Sequence, residues 1–243
     1  MPIGGAHIGF WSNRRVMDRS ITKSKNVLIV YDPDSVRPAM YTDGYNPNPS
    51  DIAATISSRE TALTFIPATV TTYSSFLAIP DVTVENYAHI WDVGYDTYMT
   101  EAVETKYASY LATGGAMFLL GENGNFVQRD GDITNFITNM GGGTVTADAQ
   151  TTGVITATVA SEFLLANQTS SVTFNNVGRF GSIGNGTIMA SSGNGTHAAV
   201  WKTGALSNKP TAAIASVLDI NFLVGADTQG PFIDNLSIVL NKV

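Results

Sequence analysis

Five carboxylates stand where short apolar runs end: Asp32 and Asp34 after Val27–Tyr31, Asp92 near the end of Tyr87–Val93, Glu122 beyond Leu120, and Asp219 after Leu218. If those runs are parallel strands, the acids share the carboxyl edge of the sheet, where open α/β sheets bind ligands. Together with the carbonyl oxygens of Asn123 and Asn221 they would form an oxygen-rich environment suited to Ca²⁺ or Mg²⁺. The competing readings are that each carboxylate caps a helix or closes a turn, or that one of them works as a general acid or base. Of the histidines, His7, His89 and His197, none stands in a recognisable pattern with an acid, so each reads as structural or solvated. The absence of cysteine excludes disulfides, thiolate metal sites and a cysteine nucleophile. Trp91, Tyr95 and Tyr98 could offer a stacking platform to a sugar, or simply pack. The glycines of Gly181–Gly186 lack the basic group and opening helix of a phosphate loop and read as turns. The Asn-x-Ser/Thr triplets at Asn167, Asn185, Asn194 and Asn235 are expected by chance in a chain this rich in Asn and Thr.

The elements that must position these groups follow from periodicity. Asn26–Asp32 reads as a strand buried on both faces, and the Pro- and Asn-rich stretch 33–50 as an extended loop. Ser50 and Asp51 can cap a helix reaching Leu63. Ala68–Phe76 is rich in Val, Thr and Tyr and predicts a second strand, a turn follows at Pro80 and Asp81, and Tyr87–Val93 predicts a third strand. Thr100–Ala112 has helical spacing and stops at Gly114 and Gly115, Ala116–Leu120 is a buried strand, and Asp130–Met140 is a helix stopped by Gly141–Gly143. From about 144 to 224 the texture changes to short β-like runs at Thr152–Val159, Gly186–Ala190, Thr196–Lys202 and Thr211–Leu218, with a hairpin centred on Asn194 and Gly195. Phe232–Leu240 predicts a closing helix.

The 243-residue chain reads as a basic arm over residues 1–25 and one α/β domain over 26–243, with a β-rich insertion at about 144–210. The arm holds Arg14, Arg15, Arg19, Lys23 and Lys25 against Asp18 alone, whereas the whole chain carries −7. Phe10 and Trp11 sit beside those charges, so the arm either is solvated or docks on an acidic neighbouring subunit. An acidic body would repel phosphates, which argues against nucleic acid as a partner. No run approaches the ~20 apolar residues of a membrane span, and no export leader is visible.

The paired Gly114-Gly115 feeding Ala116-Met-Phe-Leu-Leu-Gly-Glu-Asn-Gly124, together with a late strand over Ala212–Phe222 and the helix at 232–240, resembles the class I glutamine amidotransferase-like, flavodoxin-like superfamily, particularly its ThuA-like members. The resemblance implies a three-layer α/β sandwich with a mainly parallel sheet, here carrying a β-rich C-terminal segment. Catalytic members of that superfamily place a cysteine or serine on the turn after the corresponding strand. This chain has Gly121-Glu122-Asn123-Gly124-Asn125 there. The expectation is therefore a scaffold without its nucleophile and without a cofactor: a structural or interaction protein assembled with other subunits through Phe10, Trp11, Arg14, Arg15 and Arg19. The weakly charged, cysteine-free composition fits a bacteriophage virion component. A glycan- or cation-binding module and a metal-assisted hydrolase are the alternatives. A hydroxyl buried beside His89 or His197 would count against the inactive scaffold.

Overall fold

The computed structural model describes residues 24–31, 49–94, 97–148, 153–164, 170–219 and 229–242. The arm, with Phe10, Trp11, Arg14, Arg15 and Arg19, lies outside the described residues, as do Asp32, Asp34, Tyr95, Asn167 and Asn221.

Strands β1 (Asn26–Tyr31), β2 (Ile66–Val70), β3 (His89–Val93) and β4 (Ala116–Gly121) alternate with helices α1 (Pro49–Ala62), α2 (Tyr73–Ala78), α3 (Asp81–Val84) and α4 (Glu101–Ala112). Helix α5 (Val127–Asn139) follows β4 and leads into six further strands: β5 (Val145–Asp148), β6 (Ile155–Val159), β7 (Ser171–Phe174), β8 (Arg179–Ile183), β9 (Thr187–Ser192) and β10 (Gly195–Trp201). Strand β11 (Ala213–Leu218) and helix α6 (Gln229–Lys242) end the described chain. The sheet runs β2-β1-β3-β4-β11-β10-β9-β6-β7, with β8 joining β5 to β10.

Only the pairings among β2, β1, β3, β4 and β11 are parallel. Those made by β5 to β10, including β10 on β11, are antiparallel. The expectation of a mainly parallel sheet is therefore overturned: the sheet is mixed and β-rich. The physical reason is that the segment at 144–210 extends the sheet by laying β10 along the otherwise open side of β11.

Two cores lie on the two faces. One packs α1 and α6 through Ile52, Ile56, Phe232, Ile233 and Leu236 against Val27, Ile29, Trp91 and Phe118. The other packs α4 and α5 through Val103, Tyr107, Ile133, Phe136 and Ile137 against Leu28, Ile90, Met117 and Leu119. The parallel strands β1, β3 and β4 are buried on both sides, which is why they read as continuous apolar runs rather than alternating ones.

Two sequence expectations fail locally. The strand expected over Ala68–Phe76 stops at Val70, because the Thr72 hydroxyl accepts the Ser75 amide at 3.1 Å and opens α2. A local cap has outcompeted β-propensity. Beyond the turn at Pro80, Asp81 starts the one-turn helix α3. Of the aromatics read as a sugar platform or as packing, Trp91 is fully buried and packs, while Tyr98 remains half exposed. Asn235 is buried on α6 and unsuited to glycosylation.

Helix α5 contains Gly131 in its interior, and a Cβ built there meets no atom within 4 Å. Glycine inside a helix is less favourable than alanine by about 1 kcal/mol. Gly131→Ala should therefore raise unfolding free energy by about 0.5–1 kcal/mol in urea titration. A loss would mean that the backbone at this position is not regular helix.

Candidate functional site

The carboxyl edge of the parallel strands carries the candidate residues, and the switch in strand order falls there between β1 and β3. Asp92, near the end of β3, faces the α4/α5 side of the sheet. Its Oδ1 accepts from Arg129 Nη2 at 2.9 Å and from the Gly94 amide at 3.1 Å, and Tyr73 donates to both carboxylate oxygens at 3.2 and 3.0 Å. Arg129 in turn donates through Nη1 to Tyr73 at 2.7 Å and to the Thr97 carbonyl, and through Nε to the Leu120 carbonyl at 2.9 Å. Both charges are fully buried. Burial alone would lower the Arg129 pKa, but the charge of Asp92 and its contacts with Asp92 and Tyr73 raise it. Burial, reinforced by Asp92, also pushes the Tyr73 and Tyr107 hydroxyls upward, so both stay neutral. A Cβ at position 94 would lie 3.0 Å from the guanidinium carbon, so only glycine lets Arg129 seat at this depth.

The bend after β4 is where the sequence puts it. The Glu122 amide donates to Asp130 Oδ1 on α5 at 2.7 Å. The buried Glu122 carboxylate bends back so that Oε2 accepts the Asn123 amide at 3.1 Å and the Asn123 side-chain amide at 3.2 Å. Asn123 Oδ1 accepts from the Asn125 amide and shapes the turn into α5. Burial raises the Asp130 carboxyl to about 7, against the opposing pull of the Glu122 amide and the Arg129 charge.

Across the edge, Asp219 Oδ2 accepts the Asn175 amide at 3.1 Å, and the Gly178 amide donates to the Leu218 carbonyl at 2.8 Å. Between them Asn176 holds a left-handed φ of 56°. Position 178 has no room for a side chain: a Cβ there would stand 2.6 Å from the Glu122 carbonyl oxygen. The Gly178 carbonyl accepts from His197 Nδ1 at 2.7 Å, and His197 Nε2 lies 2.8 Å from Ser192 Oγ. Burial lowers the His197 pKa, partly offset by the Gly178 carbonyl, so the ring is neutral at pH 7 and, with Nδ1 donating to that carbonyl, Nε2 accepts the hydrogen bond of the serine hydroxyl. Ser192 Oγ also accepts the Asn194 amide at 3.1 Å, closing the β9–β10 turn around Gly193 and Asn194.

On the opposite face His89 and Trp91 both meet Glu60 Oε1 of α1 at 2.8 Å, and Ser237 of α6 donates to the same oxygen at 2.6 Å. All four are fully buried. Burial alone would raise the Glu60 pKa, but the hydrogen bond and charge of His89, with Ser237 and Trp91, hold it below the ordinary value.

Of the sequence-predicted carboxylates, the three among the described residues are engaged separately. Asp92 is bound to Arg129, Glu122 folds onto its own turn, and Asp219 holds the 175–178 loop. Among the described residues no group of three or more His, Cys, Asp or Glu could hold a metal ion. Asp92 closes a turn on the Gly94 amide and also anchors a buried cation, whereas Asp219 reaches the Asn175 amide 44 positions away. Sequence reasoning missed Glu60, Tyr73, Arg129, Asp130, Ser192 and Ser237. Their partners are 5 to 177 positions away, and no spacing announces them.

No protein-family model matches the chain, and no curated protein sequence matches it. Solved structures do. The N-terminal domain of mmIFT52 superposes with a TM-score of 0.63 at 11% identity, covering 89% of this chain and 98% of that one. A ThuA-like protein from Parabacteroides merdae gives 0.56 at 8% identity, covering 90% of each chain. A ThuA-like protein from Bacteroides uniformis gives 0.51 at 13% identity, covering 89% and 91%. These likenesses show the fold alone, and it is one shared with ThuA-like proteins. Among the described residues no helix is long and apolar enough to cross a membrane.

Two outcomes follow from these contacts. Asp92→Asn leaves a buried guanidinium short of its counter-charge and should lower stability by about 3–5 kcal/mol in chemical denaturation. For Asp130 the folded-state pKa of about 7 exceeds the ordinary 3.8, so the native state holds the proton more tightly than the unfolded chain. Its contribution is present in full below pH 3.8 and is lost as pH rises toward 7. Asp130→Asn keeps an oxygen for the Glu122 amide, so it should be more stable than the parent at about pH 8 and should remove that fall from the stability profile. Parallel profiles for the two proteins would show that Asp130 titrates normally.

Proposed function

We propose that this chain is a non-catalytic interaction module on an amidotransferase-like scaffold. The observation that carries the reading is the occupied Asn123 amide. In enzymes with a nucleophile at a strand-to-helix turn, the amide of the following residue is a donor to the oxyanion. Here that amide is bonded to Glu122 Oε2 at 3.1 Å, and the residue in the nucleophile's place is a buried carboxylate. The turn therefore lacks a hydroxyl or thiol nucleophile, and the donor that would stabilise a tetrahedral intermediate is already engaged. The contrast between the basic segment 1–25 and the acidic remainder supports subunit contact as the alternative use of the fold. Composition alone supports a place in a virion, so the proposal is confined to interaction with other protein subunits.

Ser192 and His197 favour a second reading, in which a serine away from the bend is the nucleophile. Hydroxyl, neutral imidazole and an orienting carbonyl stand in the right order, with hydrogen bonds of 2.8 and 2.7 Å. Against it, Ser192 is half-buried in a tight hairpin where its oxygen already accepts the Asn194 amide, the role of a turn-closing serine.

Replacing Arg14, Arg15 and Arg19 with serine in the full chain should produce a smaller species in sedimentation velocity, with an unchanged circular dichroism spectrum. An identical sedimentation coefficient removes the arm from assembly. A fluorophosphonate probe should leave the native chain unlabelled; labelling that disappears in Ser192→Ala would replace this reading with the serine-hydrolase one.

A further inference from the structure

The first described residue is Ser24, and its contacts fix where residues 1–23 leave the body. The Ser24 hydroxyl donates to the Asn86 carbonyl at 2.6 Å, and the Asn86 side-chain amide donates to the Val82 carbonyl of α3 at 2.7 Å. Tyr110 of α4 donates to the carbonyl of the next residue, Tyr87, at 3.2 Å. The arm is therefore rooted where α3 and α4 meet. Along that junction runs a groove of about 490 Å³, lined by Leu77 and Asp81 on one side and by Glu101, Thr105 and Ser109 of α4 on the other.

Lys106 also lines this groove, but only 9% of its side chain is exposed. Its ammonium is spent on Asp81 at 3.0 Å, on the carbonyls of Leu77 and Ile79, and on the face of the Phe76 ring. Toward the start of α4, burial together with the charges of Asp132 and Glu101 raises the Glu104 carboxyl, so like charges crowd that end of the groove. Apolar surface is left beside them: Leu77 is 38% exposed and Val82 of α3 is 68% exposed.

We propose that the groove between α3 and α4 is the seat of the chain's own residues 1–23. This seat goes beyond the interaction reading, because it keeps the basic arm on its own body until a partner displaces it. Residues 1–23 carry Arg14, Arg15, Arg19 and Lys23 against Asp18, with Phe10 and Trp11 close by, which complements carboxylates flanked by exposed apolar groups. The lengths agree. Arg19 and Arg14 stand five and ten residues before Ser24, within about 17 and 35 Å at full extension, and the 12 residues of α4 extend about 18 Å. A basic segment of another protein would have to compete with a tether whose effective concentration is roughly millimolar, which makes the chain's own arm the occupant. Exchange of arms between copies would keep the same contacts, and it connects this seat to assembly.

Because the chain has no cysteine, engineered thiol pairs report the seat directly. In the full chain, Arg15→Cys with Thr105→Cys should oxidise under oxidised glutathione to a disulfide within one copy, running as a monomer in non-reducing electrophoresis. The protein is held at about 1 μM, far below the effective concentration of the tether. Arg15→Cys with Thr156→Cys, an exposed position on β6, should close about tenfold more slowly or worse. Glu101→Lys with Glu104→Lys should slow the first pair about tenfold, and adding Arg14→Glu and Arg19→Glu to that chain should restore the rate, which also shows that the reversed helix is folded. Equal rates for the two pairs, a disulfide formed only between copies, no effect of the glutamate reversals, or a loss that the arginine reversals do not restore would overturn the seat. If the seat fails while replacement of Arg14, Arg15 and Arg19 still dissociates the assembly, the interaction reading stands without it. Fast closure within one copy of a chain that sediments as a monomer would leave the seat standing without the interaction reading.

Discussion

The Asp92–Arg129 pair is the contact on which the carboxyl edge depends. One guanidinium joins the end of β3, the Leu120 carbonyl of β4, the loop at Thr97 and, through Tyr73, the start of α2. Taking two charges out of water is unfavourable by several kcal/mol for each ion, and their attraction offsets this only when the remaining hydrogen-bonding capacity is satisfied. Here Asp92 also accepts from Gly94 and Tyr73, and Arg129 also donates to two carbonyls. The pair therefore adds little to net stability compared with an apolar replacement, but it fixes one arrangement of four segments. Losing either member would leave a charge with no route to solvent.

That arrangement makes the edge point inward. In open α/β sheets the loops beyond the strands usually diverge and leave a crevice. In this chain the loop at 175–178 crosses the end of β11, pinned by the Gly178 amide on Leu218 and by Asp219 on Asn175. Glu122 completes the closure by folding over its own turn. Among the described residues, Asp92, Glu122 and Asp219 are internal acceptors.

The sequence discloses this fold unevenly, for identifiable reasons. The runs at 26–31, 89–93 and 116–121 are legible because burial on both faces leaves no polar residue to break them, apart from His89 and Asp92. Those two were visible as residues but not as partners, since Glu60 and Arg129 come from helices whose faces can be assigned only once they are docked. The parallel character of the whole sheet was overestimated because strand direction is not encoded in a strand's own pattern. It follows from connection length, and the tight link between β9 and β10 demands antiparallel neighbours. The bend after Leu120 was legible from its own glycines and amides, a purely local device. The Ser192–His197 contact arises from hairpin register, in which Gly195 pairs with Ser192 and a bulge follows Thr196, so a one-residue slip would have separated them.

The antiparallel extension also determines how the sheet ends. In a purely parallel sheet of this order β11 would be an edge strand, yet all six of its residues are buried and Ile214, Ala215, Ser216 and Val217 are paired with β10. Covering that strand on its second side lets it stay wholly apolar apart from Ser216, and moves the exposed edge outward to the shorter, Ser- and Thr-containing β7. At the other end β2 is partly exposed and carries Pro67, which lacks a donor for a further strand. Both ends are poorly suited to strand addition, the usual hazard of an open sheet. On the interaction reading proposed above, contact with other subunits would run through side chains rather than strand addition, which is the physical reason to look for recognition in the basic segment ahead of β1.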